Sequence, residues 1–252
     1  MIRGAFVKNN VLLLGGSGTL GSSIIKSELF KDLLYPSSKE LNILNQKQLE
    51  KYFLKHNIKL IIHCAALARV RDCENNKEKA LKINVKGTSN IVSAILKLTR
   101  NYNKKIKLIF ISSDAVYKSC DGKYKETDKL SAYNFYGTTK IKGEKLVKKL
   151  KKYIIIRTRF FDKKNIKFKH YAYNIFTSSL EVEKLSKYIF KLVQKKFNGT
   201  INIGRNKISD YKLYKRFKKT IKPFDKNKII QNLSLKIATD ASLDLSKMKK
   251  IL

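Results

Sequence analysis

Residues 11–30 read "VLLLGGSGTLGSSIIKSELF", and the reading of this stretch decides the fold. A short apolar run, Val11 to Leu14, passes through a glycine loop into a helical pattern carrying Ile24 and Ile25. Gly15, Gly18 and Gly21 fit GxxGxxG, while Gly16, Gly18 and Gly21 fit GxGxxG. Glycines let the backbone turn tightly and let a pyrophosphate approach the amides at a helix N-terminus, where the dipole favours negative charge. A lone glycine triad says little. Set directly between a strand and a helix, it predicts a dinucleotide-binding turn rather than an empty bend.

Outward from this loop, short apolar runs recur: "DLLY" (32–35), "KLIIHCAA" (59–66), "IKLIFISSD" (106–114), "YIIIRT" (153–158) and "TINIG" (200–204). Helical stretches such as "QKQLEKYFLKH" (46–56) and "NVKGTSNIVSAILKLTR" (84–100) lie between them. Continuous β-rich runs separated by helices predict an α/β protein with a Rossmann-like, doubly wound parallel sheet. "SSLE" (178–181) predicts a capping box for a helix carrying Val182, Leu185, Ile189 and Leu192. No internal repeat or low-complexity linker interrupts the pattern.

Composition narrows the class. A chain of 252 residues, 43% hydrophobic and 10% aromatic, can bury a large core as one α/β domain with a smaller appendage. No apolar run approaches the ~18 residues of a membrane span, and "VLLL" is too short for a signal-peptide core. Cys64, Cys73 and Cys120 are odd in number and form no CxxC, which argues against a disulfide framework and a zinc site. A reduced, cytoplasmic compartment is the expectation, with no metal. The net charge of +37 is spread from Lys8 to Lys250 without a basic block. It reads as a compositional drift rather than a specific nucleic-acid surface, though it will draw anionic small molecules to any cleft.

In a doubly wound sheet, ligands sit beyond the carboxyl ends of the strands. The glycine loop, "HCAALA" after the third strand, "ISSD" ending the fourth and "YGTTK" opening the next helix are all expected there. In "YNFYGTTKIKGEK" (133–145), Tyr136 and Lys140 are spaced i, i+4 and share a helix face. In a chain so rich in lysine that spacing is common, and its meaning comes from the convergence.

Together these residues resemble the extended short-chain dehydrogenase/reductase family. "ISSDAVYKSCDGKYKETDKLSAYNFYGTTKIKGEK" is similar to the signature of the dTDP-4-dehydrorhamnose reductases, and "SLDLSKMKK" (242–250) resembles their C-terminal Ser-x-Leu-Asp element. The resemblance implies that Tyr136 is the general acid, with Lys140 lowering its pKa and holding the nicotinamide ribose. It implies that Ser113 hydrogen-bonds the substrate carbonyl, with Asp114 and Phe160 beside the substrate. Asn84 matches an Asn that supports the Lys, although a helix cap would explain it equally well.

The resemblance also implies that Gly15, Gly18, Thr19 and Leu20 cradle the pyrophosphate. Ala65, Ala66 and Leu67 would line the ribose, and Asn42 and Ile43 would flank the adenine. Ser37, Ser38 and Lys39 follow the second strand where NAD binders carry an acidic residue, so NADPH is expected over NADH.

Three departures mark the other half of the chain. "RTRFF" (157–161) stands where relatives often read Arg-Thr-Ser-Trp, the segment between Phe161 and "FTSS" is short, and "ATDA" replaces an Arg-Pro. The expected division is therefore a dinucleotide-binding domain over 1–160 and a reduced substrate-binding region over 161–252, with 177–204 packing back on the sheet. The implied activity is NAD(P)H-dependent reduction of a nucleotide-linked 4-keto-6-deoxy sugar for surface-glycan synthesis. A 4-epimerase shares the Ser, Tyr and Lys. The regulatory β subunit of methionine adenosyltransferase resembles the same motif, binds NADP(H) and works as a partner protein. A homodimer is left open.

Overall fold

The structure, a computed structural model, describes residues 10–227 and 238–252. The chain runs β1 (Val11–Leu14), α1 (Thr19–Lys26), β2 (Leu33–Leu34), α2 (Gln46–Lys55) and β3 (Leu60–His63). Then α3 (Val70–Asn75) and α4 (Lys77–Ala80) lead through a π-helical turn, Leu81–Lys86, into α5 (Gly87–Tyr102). After β4 (Lys107–Ile111) come α6 (Phe135–Val147) and β5 (Tyr153–Thr158). Short strands follow: β6 (Phe160–Phe161), β7 (His170–Ala172), β8 (Phe176–Thr177) and β9 (Leu180–Glu181). The described chain ends with α7 (Val182–Gln194), β10 (Gly199–Ile203), β11 (Ile208–Ser209), α8 (Asp210–Lys215), β12 (Lys222–Phe224) and α9 (Ser246–Ile251).

Six strands form one sheet in the order β10-β5-β4-β3-β1-β2, and every pairing in it is parallel. The expected doubly wound sheet is therefore present. Its strands are apolar on both faces because both are covered. Val11, Leu13, Ile109, Ile154 and Ile201 join α1 and α7 in one core, and Leu12, Leu14, Ile61, Leu108 and Ile155 join α2 and α5 in the other. Each of these side chains is nearly or wholly out of water, worth about 1.5–3 kcal/mol apiece. The segment beyond β9 returns to the sheet, with β10 paired to β5 and Ser186 Oγ bonded to Ser23 Oγ at 3.0 Å.

One local reading is corrected. Ser178–Glu181 is not a capping box: Ser178 Oγ accepts from Leu243 N at 3.0 Å, and Leu180–Glu181 pairs with β6. Glu181 is the N-cap of α7 without a side-chain cap, so a long-range strand pairing displaces the local motif. The helix itself buries Val182, Leu185, Ile189 and Leu192 as expected.

The chain reverses direction across the sheet at β1, whose neighbours are β2 and β3. That switch point opens a crevice outside the carboxyl ends of the strands. No helix among the described residues is long and apolar enough to cross a membrane.

Candidate active site

A crevice of about 560 Å³ runs from the glycine loop to the end of β5. Gly15, Gly18, Thr19 and Leu20 form one wall, with Ala66 and Cys64 beside them. Ser113, Asp114, Tyr136, Lys140 and Phe160 form the other. A larger hollow of about 780 Å³ lies along α5 near Leu96, Ile106 and Leu150, but its rim is lysine and it gathers no reactive groups. Chemistry, not size, locates the site.

The glycine loop is built for close approach. Gly15 has φ +90°, and a Cβ there would lie 2.5 Å from Ala65 N; a Cβ on Gly21 would lie 2.2 Å from Gly15 O. Gly18 caps α1 without a side chain, and the first turn of α1 holds no acidic residue. Its main-chain N–H groups are thus left to an incoming anion. The residues fit a dinucleotide pyrophosphate, since any side chain at Gly15 or Gly21 would fill the space the loop uses to pack.

At the end of β3, burial holds His63 down to about 3, helped by the Lys140 charge, so its ring is neutral; Nε2 lies 3.1 Å from Thr88 Oγ1. Burial likewise pushes the Cys64 thiol up to about 12 against the pull of Lys140, which leaves it inert as a nucleophile. Leu67 is caught by Asn84 from the π-helical turn. Leu67 N donates to Asn84 Oδ1 at 2.8 Å, and Asn84 Nδ2 donates to Leu67 O at 3.0 Å and to Thr139 Oγ1 at 3.0 Å. Asn84 is therefore no helix cap. It ties the loop after β3 to the helix that carries Tyr136 and Lys140, and π turns recur at such sites.

Helix α6 starts at Asn134, whose side chain accepts from Gly137 N at 2.8 Å. Tyr136 in its first turn and Lys140 one turn later both reach the crevice. Lys140 is 4% exposed, with Nζ 4.5 Å from the Phe110 ring centroid and 5.9 Å from that of Tyr136. Burial draws its pKa down to about 8, against Cys64, Glu144 and Cys73, so the ammonium persists at neutral pH. The Tyr136 phenol shifts the opposite way from the lowered value expected. Burial pushes it well above its ordinary range, the Asp114 and Cys73 charges add to the rise, and the Ser113 hydrogen bond and Arg159 only partly offset it. A desolvated phenol next to a carboxylate keeps its proton.

Ser113 Oγ donates to Asp114 Oδ1 at 3.1 Å and accepts from Ala115 N at 3.2 Å. Asp114 Oδ2 lies 2.7 Å from Arg159 Nε in an ion pair, and Arg159 Nη2 reaches Tyr133 Oη at 3.4 Å. Burial pushes the Asp114 carboxyl up while Arg159 pulls it back. Asp210, at the start of α8, is raised to about 6 by burial, with Arg159 opposing and Asp114 adding to the rise. Arg159, Tyr133, Asp210 and Thr158 belong to this neighbourhood and were not anticipated. The one available signal was the departure "RTRFF", read through Phe160 rather than through the arginine before it.

Other anticipated cofactor residues lie outside the crevice wall. Ala65 packs under Gly15, and Leu67 contributes its backbone to Asn84. Asn42 Oδ1 accepts from Leu44 N at 2.9 Å, and Ile43 O accepts from Asn90 Nδ2 at 3.0 Å, pinning that loop to α5. Ser37 and Glu40 form a reciprocal cap, Ser37 N donating to Glu40 Oε2 at 2.8 Å and Glu40 N to Ser37 Oγ at 3.4 Å. The hydroxyl pair expected at this loop is thus half engaged. Ser38 and Lys39 are exposed beside it.

The sequence model of the RmlD substrate binding domain matches residues 9–186. Among curated proteins, the chain is 29% identical over 147 residues to methionine adenosyltransferase 2 subunit beta of Bos taurus, covering 54% of this chain and 42% of that one. It is 32% identical over 155 residues to the dTDP-4-dehydrorhamnose reductase of Aggregatibacter actinomycetemcomitans, covering 59% and 50%. The chain spans about half the length of the curated relatives it matches. Among solved structures, dTDP-4-dehydrorhamnose reductase from Bacillus anthracis in complex with NADP superposes with TM-score 0.83 at 23% identity, over 96% of this chain and 92% of that one. A hypothetical dTDP-4-dehydrorhamnose reductase from Sulfolobus tokodaii superposes with TM-score 0.80 at 29% identity, over 96% and 94%. The family match covers well over half of the chain and includes the glycine loop, Ser113, Tyr136 and Lys140: the chain belongs to the RmlD substrate binding domain family.

Proposed function

We propose that this protein is an NADPH-dependent reductase that converts the 4-keto group of a nucleotide-linked 6-deoxy sugar to an alcohol, in the cytoplasm. The observation that carries the reading is the meeting of a protonated phenol, a buried ammonium and an open helix N-terminus in one crevice. A nicotinamide cofactor, when bound, supplies the hydride. The protein's own groups do the rest. Thr19 and Leu20, in the first turn of α1, present main-chain N–H groups to the pyrophosphate. Lys140 holds a positive charge under the nicotinamide ribose and beside the developing alkoxide. Tyr136, which keeps its hydrogen at neutral pH, gives it to the carbonyl oxygen as the C–H bond forms, so the phenol is left as a phenolate to be reprotonated from solvent.

Ser38 and Lys39 favour NADPH, because an exposed hydroxyl and ammonium after β2 can meet a 2′-phosphate where an acidic side chain would repel it. On this reading residues 1–160, completed by α7 and β10, bind the dinucleotide. The short strands and α8 in the rest of 161–252 form a reduced substrate wall around Phe160, Asp114 and Tyr133. The printed names of the relatives, dTDP-4-dehydrorhamnose reductases, agree with a sugar nucleotide.

The deciding experiment follows NADPH oxidation against a panel of nucleotide-linked 4-keto-6-deoxy sugars. Stoichiometric oxidation with one of them is the expected result. Tight NADPH binding without turnover on any of them overturns the reductase reading. That outcome favours a second role, an NADP-binding subunit working beside another protein, which the likeness to methionine adenosyltransferase 2 subunit beta supports.

A further inference from the structure

The positive charge that is spread along the chain is gathered by the fold. Helices α5, α6 and α7 all end on the side of the sheet where β4, β5 and β10 begin, opposite the crevice. Residues 97–107 hold five lysines or arginines, residues 145–153 five and residues 191–199 three, and none of these stretches holds an acid. The three turns are bonded into one surface. Asn198 Oδ1 accepts from Tyr153 N at 2.7 Å, Leu108 N donates to Lys152 O at 3.2 Å, and Lys107 Nζ donates to Phe197 O at 2.7 Å.

A helix C-terminus favours a nearby cation because the negative end of its dipole lies there. Three helix ends explain roughly one cation apiece, far fewer than are present. Lys97 is paired with Glu50 at 2.7 Å, and Lys104 Nζ donates to Asn57 Oδ1 at 3.0 Å. Lys105, Lys149, Lys151, Lys152, Lys195 and Lys196 are exposed, and their ammonium groups have no hydrogen-bond or ion-pair partner among the described residues. Between the ends of α5 and α6 lies the hollow of about 780 Å³, with Ile95, Ile106 and Leu150 in its floor and no acid on its rim. Beside it Leu96 and Tyr102, in the last turns of α5, are 41% and 56% exposed.

The chemistry of this face selects its occupant. A second copy of the chain is repelled by like charge. A nucleic-acid backbone answers the cations but offers nothing to Leu96 or the apolar floor, and Arg100 is the single arginine among them, although arginine makes the better fork for phosphate. An acidic protein segment seated in the hollow would leave Lys195 and Lys196, which lie outside it, unanswered. A bilayer containing anionic lipid meets every feature. Its headgroups are a broad layer of negative charge, and the apolar boundary beneath them takes Leu96, Tyr102 and the lysine stems.

We propose that the face built by the last turns of α5, α6 and α7 docks on an anionic membrane surface. The crevice, beyond the other end of β5, then stays open to solution, so docking and ligand exchange do not compete.

The test is co-sedimentation of the whole protein, at physiological salt, with vesicles of phosphatidylcholine alone or of phosphatidylcholine mixed with phosphatidylglycerol. Wild type is expected on the mixed vesicles and not on the neutral ones. Each lysine beside an anionic surface is worth about fivefold in partitioning, so Lys149→Gln/Lys151→Gln/Lys152→Gln should lose ~100-fold. Lys118→Gln/Lys129→Gln/Lys212→Gln removes the same charge from exposed positions on the crevice side. The six residues of β5 set the two sides roughly 17 Å apart, about twice the Debye length of ~8 Å, so this control should bind as wild type does. Leu96→Ser keeps every charge and should weaken vesicle binding at least ~3-fold. Thermal unfolding confirms that each variant is folded. Absence of wild type from the mixed vesicles overturns the inference, and equal losses in the two triple variants overturn it by showing that net charge alone attracts the lipid. Unchanged binding of Leu96→Ser overturns it as well. Duplex DNA of mixed sequence that binds more tightly than the mixed vesicles, and is lost with the same three lysines, would assign the face to nucleic acid instead.

Discussion

Arg157 and Glu144 meet in a bidentate pair, Nε on Oε1 at 3.0 Å and Nη2 on Oε2 at 2.7 Å, with 2% and 0% of their side chains exposed. The pair joins β5 to α6 one turn after Lys140. Ser112 Oγ adds a third bond to Glu144 Oε1 at 2.6 Å, and Arg157 Nη1 reaches Tyr117 Oη at 2.8 Å and Glu126 O at 3.0 Å. So every face of the buried guanidinium is answered, and the reactive helix is riveted to the sheet beneath it.

Breaking such a pair from one side leaves a desolvated charge alone. Glu144→Ala is expected to lose about 3–5 kcal/mol of stability, while replacing both partners with apolar residues of similar volume costs far less. Denaturant unfolding of Glu144→Ala and Glu144→Leu/Arg157→Met checks this. Equal losses in the two would show that packing volume, not the orphaned charge, sets the cost.

The glycine loop yields a second expectation. Gly15 combines φ +90° with a Cβ position 2.5 Å from Ala65 N, so Gly15→Ala meets both backbone strain and a collision with main chain. The loop must shift to relieve it, and Ala65 with it. Gly15→Ala should lose roughly 1–3 kcal/mol of stability and at least ~10-fold in NADPH affinity. Isothermal titration beside thermal unfolding separates the two effects, and unchanged affinity would mean that the loop does not hold the pyrophosphate.

These cases show what the amino-acid order reveals. The six sheet strands were legible because parallel strands covered on both faces read as near-continuous apolar runs, as in Val11–Leu14 and residues 153–156. Convergence of Ser113, Tyr136 and Lys140 on one crevice followed from the strand order, since ligands gather beyond carboxyl ends. Local motifs fared worse where a distant partner outbid them. Ser178 offers itself as a cap and is taken by Leu243 instead. The pairing of Asp114 with Arg159 joins residues far apart in the chain, and no periodicity announces it. The phenol's rise was missed for the same reason: burial and the Asp114 charge are properties of the assembled site, whereas the i, i+4 lysine is visible at once.

Lys140 carries a cost that the apo protein bears. Its folded pKa of about 8 lies below the unfolded value near 10.4, so from pH 8 upward the unfolded state binds more protons. This group's contribution to stability is therefore unfavourable below pH 8 and improves as pH rises from about 8 to 10.4. Lys140→Met removes the buried ammonium and fills the same space. The expected outcome is a protein that unfolds at a higher temperature at pH 7 yet binds NADPH more weakly and turns over far more slowly, a trade of stability for function. Cofactor affinity of wild type should also fall as pH passes 8, and that fall should vanish in Lys140→Met. A drop in melting temperature at pH 7 would show that the lysine stabilises the free protein.

The last expectation concerns Tyr136, whose phenol is the group best placed to protonate a carbonyl in this crevice. Burial, Asp114 and Cys73 all favour its neutral form, so across the physiological range it is a proton donor and not a base. Tyr136→Phe keeps the ring, its packing and its distance from Lys140, and removes only the donated hydrogen and the bond to Ser113. Folding and NADPH binding should survive with little change. Turnover should fall by ~10²–10⁴-fold, the range typical of a lost general acid, with KM much less affected. Ionisation of the phenol should leave no limb in the wild-type rate profile below pH 10, because it is displaced upward; a basic limb near pH 8 belongs to Lys140. Rate–pH profiles of NADPH oxidation for both proteins measure this. A Tyr136→Phe variant reducing the sugar at the wild-type rate would exclude the phenol as donor and pass the role to water or to Lys140.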